Sequence, residues 1–206
     1  MDRAALRKRL LQKTNEQIEE NLSETEVHII KSVKLLADLQ EIQNLMQENA
    51  ADWKVRHPTE KAQELLAQLQ TNIKQIDDEK KELVLFIEEK MKTEMPSTSS
   101  VTGPLLAGKL LAEAGSKRKL AFMPSSTIQV LGAKKALFNH LKHRGKCPKH
   151  GLIFNHPFMQ KLPKNKRGKA ARIIAGKLSI AAKLDFFGKP LDESIAKQVE
   201  ERISKL

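Results

Sequence analysis

Apolar residues recurring at steps of three and four on both sides of one proline-centred break constrain this chain more than any other feature. In the first run, Leu22, Ile29, Val33, Leu36, Leu39 and Met46 recur at threes, fours and sevens. In the second, Ala62, Leu66, Leu69, Ile73, Ile76, Leu83 and Ile87 alternate four and three, with Lys80 filling one slot. Such spacing lines one face of a helix and makes the seam of a coiled coil. Between the runs lies Arg56-His57-Pro58-Thr59. Pro58 disfavours helix at His57, and the Thr59 hydroxyl is suited to cap the helix that follows. Two seams of similar length around one break predict an antiparallel helical hairpin over residues 1–95. Its interface is expected from Ile29, Leu36, Leu66, Leu69, Ile73, Ile76 and Leu83. A single parallel dimeric coil is the alternative, and the proline break argues against it. Outward positions carry mixed charge, as in Asp77-Asp78-Glu79-Lys80-Lys81-Glu82, the pattern of a solvated face. The first twenty residues are basic (Arg3, Arg7, Lys8, Arg9, Lys13) and hold the seam more weakly.

Past the hairpin the punctuation changes. Met95-Pro96-Ser97-Thr98-Ser99-Ser100-Val101-Thr102 has the composition of a hinge, so residues 96–103 are expected to be a linker and residues 104–206 a second, helical unit. Pro104 opens a helix through Leu105, Leu106, Leu110 and Leu111, which Gly115 closes. Met123-Pro124-Ser125-Ser126-Thr127 marks another start, Leu131-Gly132 a break, and Ala133 to Leu141 a short helix. Pro148 to Phe154 reads as a turn and a brief extended piece. A long helix runs from Pro163 to about Phe187 and stops at Gly188-Lys189-Pro190, and a last one covers about Asp192 to Ser204. The predicted fold class is all-α.

Charge separates the same two halves. Residues 1–95 hold 15 Lys/Arg against 19 Asp/Glu, a balance of −4, whereas residues 96–206 hold 22 against 6, a balance of +16. A basic half on a near-neutral arm points to a polyanion partner. A basic surface kept for solubility is the plainer reading, but solubility does not require such a charge on half a chain. Aromatics make up 4% and tyrosine is absent, which argues against stacking platforms of the RRM type. One cysteine, Cys147, rules out an internal disulfide and suits a reducing compartment. Neither a signal-type apolar stretch nor a membrane-length apolar run occurs, so a soluble intracellular protein without membrane contact is expected.

Catalysis finds no set of residues. The basic half has six acids (Glu113, Asp185, Asp192, Glu193, Glu200, Glu201), none adjacent to a His-rich segment, and no nucleophile elbow, phosphate loop or dinucleotide fingerprint. The protein is therefore expected not to be an enzyme and to need no cofactor. His140, His143, Cys147 and His150, with His156 close behind, have zinc-like spacing. Lys142, Arg144, Lys146 and Lys149 crowd the same segment and would repel a dication, so no metal is assigned and the histidines, with His140, Lys149 and His150 foremost, are read as RNA-contacting donors. The long helix has the clearest geometry. Lys166, Lys169, Arg172, Gly176, Ser179 and Lys183 step by three or four into one stripe, against faces of Ala170, Ile173, Ile174, Leu178, Ile180, Ala181 and Leu184. Such a stripe suits a phosphate backbone, with Gly176 and Ser179 allowing close approach. Cations snorkelling from an amphipathic core helix would look the same.

Several motifs in order resemble the Nop domain: Gly103-Pro104-Leu105-Leu106-Ala107; Met123 to Ala133 (MPSSTIQVLGA); Pro148-Lys149-His150-Gly151-Leu152-Ile153-Phe154; and Arg167-Gly168-Lys169-Ala170-Ala171-Arg172. The match spans about residues 100–188, and a preceding coiled-coil hairpin is also the family's arrangement. The resemblance implies a small all-α domain that recognises a kink-turn RNA together with a ribosomal-protein-like kink-turn-binding protein. Members scaffold box C/D guide particles, which direct ribose 2′-O-methylation, and a relative serves a spliceosomal particle. The guide-particle wording is the nearer. In that group a Gly-Ala-Glu-Lys stretch and an Ala-Leu-Phe-Arg stretch lie at the RNA. Here they read Gly132-Ala133-Lys134-Lys135 and Ala136-Leu137-Phe138-Asn139, so Lys134 replaces Glu and Asn139 replaces Arg. Lys134, Lys135, Asn139 and Arg167 thereby join the expected RNA surface. Guide-particle members also carry a domain before the coil that docks fibrillarin. This chain begins almost in the coil, so fibrillarin recruitment does not carry over.

The expected function is thus an RNA-binding scaffold whose hairpin joins a partner hairpin as a homo- or heterodimer, cytoplasmic in an archaeon and nuclear or nucleolar in a eukaryote. A spliceosomal-type assembly factor, or a module whose basic half meets an acidic protein, is the alternative.

Overall fold

The computed structural model describes residues 3–21, 24–55, 59–143 and 145–206. Leu22, Arg56, His57, Pro58 and Arg144 lie outside the described residues, as does the side chain of Lys13. All regular structure among the described residues is helical: α1 (Arg3–Asn21), α2 (Glu24–Val55), α3 (Glu60–Glu94), α4 (Pro96–Thr102), α5 (Pro104–Ala114), α6 (Lys117–Phe122), α7 (Ser125–Val130), α8 (Lys134–His143), a 3-10 turn (Leu152–Asn155), α9 (Pro157–Lys161), α10 (Lys164–Phe186) and α11 (Ser194–Ser204).

Helices α2 and α3 pair antiparallel. Ile29 and Val33 near the start of α2 share a core with Ile87 and Met91 near the end of α3, and midway Gln43 Nε2 donates to Asp77 Oδ1 at 3.4 Å. Of the expected interface, Ile29 and Leu66 are buried and Leu36, Leu69, Ile73, Ile76 and Leu83 are half-buried. The middle of the seam is polar. Lys80 Nζ donates to Gln40 Oε1 at 2.5 Å and to Gln43 Oε1 at 2.6 Å. On α2 the buried Gln43 joins the seam beside the half-buried Leu39 and Met46, with Gln40 exposed at its edge. That leaves Leu35 and Ile42 facing outward, 48% and 46% exposed. Thr59 stands at the N-cap of α3, but its hydroxyl makes no capping bond, and its carbonyl accepts from Gln63 N–H at 2.9 Å.

The expected linker at 96–103 is instead α4, with Ser97, Thr98, Ser99, Val101 and Thr102 buried. One buried acid on another helix explains it. Asp185 of α10 accepts from Ser97 N–H (2.8 Å), Thr98 N–H (2.7 Å) and the Thr98 hydroxyl (2.6 Å). A carboxylate on the first free N–H groups of a helix satisfies orphan donors and the helix dipole together. Serine and threonine favour turns when their side chains compete for the backbone. Here Thr102 Oγ1 and Ser99 Oγ instead donate to the carbonyls of Thr98 and Met91, inside the helical run.

The hairpin and the basic half share one core. Ile29, Ile30, Val33, Ile87, Met91 and Met95 pack with Leu106, Leu110 and Leu111 of α5 and with Ile174 and Leu178 of α10. Gly108 makes this approach possible, because a Cβ there would lie 2.9 Å from Ile87 Cγ2. Glu26 of α2 accepts from Lys117 N–H at 2.8 Å, at the start of α6. The expected extended piece after Pro148 is the 3-10 turn, closed by Phe154 N–H to Gly151 O at 3.0 Å. Helices α6 and α9 carry too few residues for a periodic signal.

Candidate nucleic-acid interface

Two loops, the helix after the first of them, and the outward face of α10 make up the cationic surface. After α7 the chain turns at Gly132 (φ 86), with Ala133 N–H donating to Val130 O at 2.9 Å. The second loop, 148–152, lies back to back with this turn. Gly151 N–H donates to Gln129 O at 2.9 Å, Leu152 N–H to Leu131 O at 2.8 Å, and Gln129 Nε2 to Lys149 O at 2.7 Å. The contact is so close that a Cβ on Gly151 would stand 2.0 Å from Leu131 O, and one on Gly132 would stand 2.6 Å from Leu152 Cγ. Only glycine fits either place. The two motifs that the sequence sets about twenty residues apart thus form one rigid unit.

That unit delivers Lys149 and His150 to the start of α10. The Lys149 stem lies along Gly168, its carbons 3.5–3.9 Å from where a Cβ would be. The His150 ring stacks on Phe154, with centroids 4.9 Å apart and 18° between planes. The Arg167 guanidinium lies 5.2 Å from the same Phe154 ring, and its Nε donates to Leu162 O at 2.8 Å. Arg167 is therefore held in one place before any ligand arrives, which lowers the entropy cost of using it. Partial burial, with the charges of Arg167 and Lys149 beside it, holds the His150 imidazole below the usual histidine value. At neutral pH it offers a ring and one N–H rather than a cation.

Helix α8 buries none of its side chains. Lys134 Nζ pairs with Glu113 of α5 at 2.8 Å, with Lys134 itself still 80% exposed. Lys135 and Asn139 are exposed, and His140 Nδ1 lies 2.6 Å from Gly145 O. Phe138 and Leu141 face solvent at 56% and 74%, with Lys142 Nζ 5.3 Å over the Phe138 ring. The helix is a cationic and apolar arm without a packed face of its own.

On α10, Lys169, Arg172 and Lys183 are exposed, and Lys166, Arg167 and Ser179 are half-buried. A Cβ at Gly176 would meet nothing within 4 Å. The exposed stripe is Lys169, Arg172, Gly176, Ile180 and Lys183, with Ile180 47% exposed. The expectation placed Ser179 on the stripe and Ile180 on the apolar side. One position is 100° of helix, and Ala181, Ala182 and Leu178 suffice for the core.

Sequence reasoning grouped His156 with the exposed histidines. In the fold it is buried, with Nε2 donating to Val101 O at 3.0 Å and Nδ1 accepting from Phe158 N–H at 3.3 Å. Both ring nitrogens are used internally, and burial pushes its pKa below the usual value against the opposing bond to Val101. Among the described residues no three His, Cys, Asp or Glu gather where they could hold a metal ion. Sequence reasoning also passed over Phe154, Glu113 and Asp185, whose roles depend on partners distant along the chain.

Fold and surface define a class: an all-helical protein that sets a preorganised cationic face on the base of a long hairpin. The chain belongs to the Nop family, whose model, described as "Nop: snoRNA binding domain, fibrillarin", matches residues 6–205. It is 39% identical over 143 residues to an uncharacterised NOP5 family protein of Methanocaldococcus jannaschii, covering 69% of this chain and 34% of that one. Nucleolar protein 56 of Mus musculus is 39% identical over 133 residues, covering 63% of this chain and 23% of that protein. Among solved structures, the crystal structure of a fibrillarin/Nop5p complex superposes with a TM-score of 0.72 at 33% identity, covering 96% of this chain and 78% of that one. The chain spans about a third of the length of the first of these curated relatives and about a quarter of the second.

Proposed function

We propose that this protein is an RNA-binding scaffold of a box C/D-type ribonucleoprotein, a structural component rather than a catalyst. The basic half receives a kink-turn RNA together with the ribosomal-protein-like protein that binds kink-turns. The single observation that carries this reading is the convergence at the start of α10. Backbone bonds between two glycine-locked loops hold Lys149 and His150 beside Arg167, and the exposed Lys169, Arg172 and Lys183 extend from there along one helix face. Lys134, Lys135, Asn139 and His140 on α8 and Lys166 on α10 add to this proposed surface. Fixed cations of this kind position a phosphate backbone. The hairpin pairs with a second hairpin, and the outward apolar residues Leu35 and Ile42 of α2, beside a groove lined by Leu39, Leu83 and Phe86, are the surface for it. In a eukaryotic host the particle belongs in the nucleolus, like the relatives of that name.

The test is binding of the full chain to a kink-turn RNA with and without the kink-turn-binding protein, across a salt series. Composite recognition predicts tight binding to the pair and weak binding to either component. The slope of log affinity against log salt should be about −0.9 per duplex phosphate neutralised. No binding to the pair at low salt sinks the proposal. Fibrillarin, present in the similar solved complex, is the third ligand to add.

A further inference from the structure

We propose that the phenylalanine cluster at the far end of α10 is a stacking platform for an unpaired nucleotide of the bound RNA. The inference rests on the RNA-scaffold reading above and carries the RNA path beyond the folded kink-turn. Phe122, the last residue of α6, meets Phe186 and Phe187 at the end of α10. The centroids lie 5.4, 6.2 and 5.1 Å apart and all three pairs are edge-to-face, at 75°, 79° and 77°. Phe122 and Phe187 remain 59% and 60% exposed. The chain has seven phenylalanines and one tryptophan, so placing three of these aromatics at one surface point is a large share of its ring inventory. Rings this exposed contribute little to the core, and clustered exposure of apolar surface marks an interaction site.

Two observations favour RNA over a protein partner. The first is alignment. Lys169, Arg172, Gly176, Ile180, Lys183 and Phe187 step by three and four, so the phenylalanines end the cationic stripe, about 27 Å from Lys169 at 1.5 Å per residue. The second is charge. Lys183 lies one turn before Phe187 and Lys189 two residues after it, and α6 contributes the exposed Arg118 and Lys119 with no acid. The nearby carboxylates are turned elsewhere. Asp185 caps α4, Glu26 meets the opposite end of α6 at Lys117 N–H, and Asp192 accepts from Ser194 N–H on the side of Lys177. Rings set among cations at the end of a phosphate-binding track reproduce the design of single-strand binding surfaces, where stacking is indifferent to base identity. The three rings fix each other in place, so a base would stack on a preformed surface.

The experiment uses the full chain, the kink-turn-binding protein and three RNAs. These are a kink-turn without a tail, the same RNA with a tail of about ten uridines, which spans α10 at about 3.4 Å per nucleotide, and that tail made abasic. The uridine tail should raise affinity about tenfold or more, and the abasic tail should not. A 2-aminopurine in the tail should lose fluorescence on binding. The Phe122→Leu, Phe187→Leu variant should keep its melting temperature and its affinity for the tail-less RNA, and lose the tail's gain and the quenching. Equal gains from uridine and abasic tails would overturn stacking in favour of charge alone. Equal weakening towards all three RNAs would make the phenylalanines structural. An unchanged tail effect with loss of binding to an aspartate-rich peptide would assign the cluster to a protein partner. Failure of the tail-less RNA to bind the wild type refutes the scaffold reading itself, a different result from a missing tail effect.

Discussion

Replacing Asp185 tests why a serine- and threonine-rich segment is helical and buried. The carboxylate accepts three bonds, two from the first backbone N–H groups of α4 and one from the Thr98 hydroxyl, and is 5% exposed. It sits in the last turn of α10, where a negative charge is locally unfavourable. Its contribution therefore comes from α4. Asp185→Asn keeps the shape but turns an NH2 towards one N–H. The Thr98 hydroxyl can rotate to accept, the backbone N–H cannot, and the charge assistance is lost. A stranded buried donor costs about 1–3 kcal/mol, and hydrogen bonds to a charged group contribute about 1.5–3 kcal/mol against about 1 for neutral ones. The sum is about 3 kcal/mol, or a fall in melting temperature of about 6–12 °C for a chain of this length. Asp185→Ala strands both N–H groups and should cost about 4 kcal/mol. The control is Ser97→Ala. Ser97 Oγ is buried without a hydrogen-bond partner, so its removal should be neutral or stabilising. Thermal and urea unfolding followed by circular dichroism give the numbers, and hydrogen exchange at the amides of Ser97 and Thr98 localises the effect. If Asp185→Asn unfolds within about 1 kcal/mol of the wild type, packing alone holds α4 and the capping account is wrong.

Other perturbations reach the remaining parts. Lys169→Ala with Arg172→Ala should weaken RNA binding and reduce the salt slope by nearly two, at about 0.9 per lost phosphate contact, with unchanged helicity; an equal gel shift would count against the stripe. Gly151→Ala must move Leu131 O, 2.0 Å from the new methyl, so the loops should separate at a cost of about 3 kcal/mol, with a matching loss of RNA affinity by titration calorimetry. His150 and His156 both have pKa values below 6.5 in the fold. The unfolded chain therefore binds protons more readily, and stability is full above pH 6.5 and declines as pH falls from there towards the folded values. Urea midpoints at neutral and mildly acidic pH should show the decline, and His156→Gln should flatten it. Gln43→Leu with Lys80→Leu should stabilise the hairpin by about 1–3 kcal/mol while loosening its register, as polar seam positions trade stability for specificity. Light scattering that still finds a single species would show that the register is set elsewhere.

The hairpin was legible because its signal is local: a period of three and four repeats whatever lies outside the helix. The α10 stripe was legible for the same reason, and the Ser179–Ile180 exchange shows the limit. Periodicity fixes a face to within about one residue, and the core decides which neighbour faces in. Non-local partners explain the rest. Nothing near Ser97 indicates that an acid 88 positions away will accept its N–H and cap α4. His156 looked like its exposed neighbours until Val101, 55 residues back, took one of its nitrogens. The interlocked glycines belong to two separate motifs, and their contact belongs to neither alone. Phe154 takes its role from the His150 ring and the Arg167 guanidinium that the fold places against it.

The same non-local contacts remove the hinge that composition suggested, and this bears on how a scaffold works. Between Glu94 at the end of α3 and Pro96 at the start of α4 there is one residue, Met95, and it is fully buried. Gly108 against Ile87, Glu26 on α6 and Asp185 on α4 then hold the base of the hairpin from three directions. The Gly108 approach and the Asp185 bonds are buried and the Glu26 bond is part-buried, so swinging the hairpin would open a core and strand polar groups at several kcal/mol. The hairpin is therefore a lever rather than a tether. Whatever meets its outer face is held at a set distance and angle from the cationic surface around α10. A flexible linker would let both partners bind while fixing nothing between them, whereas one continuous core makes the spacing between partners a property of the fold.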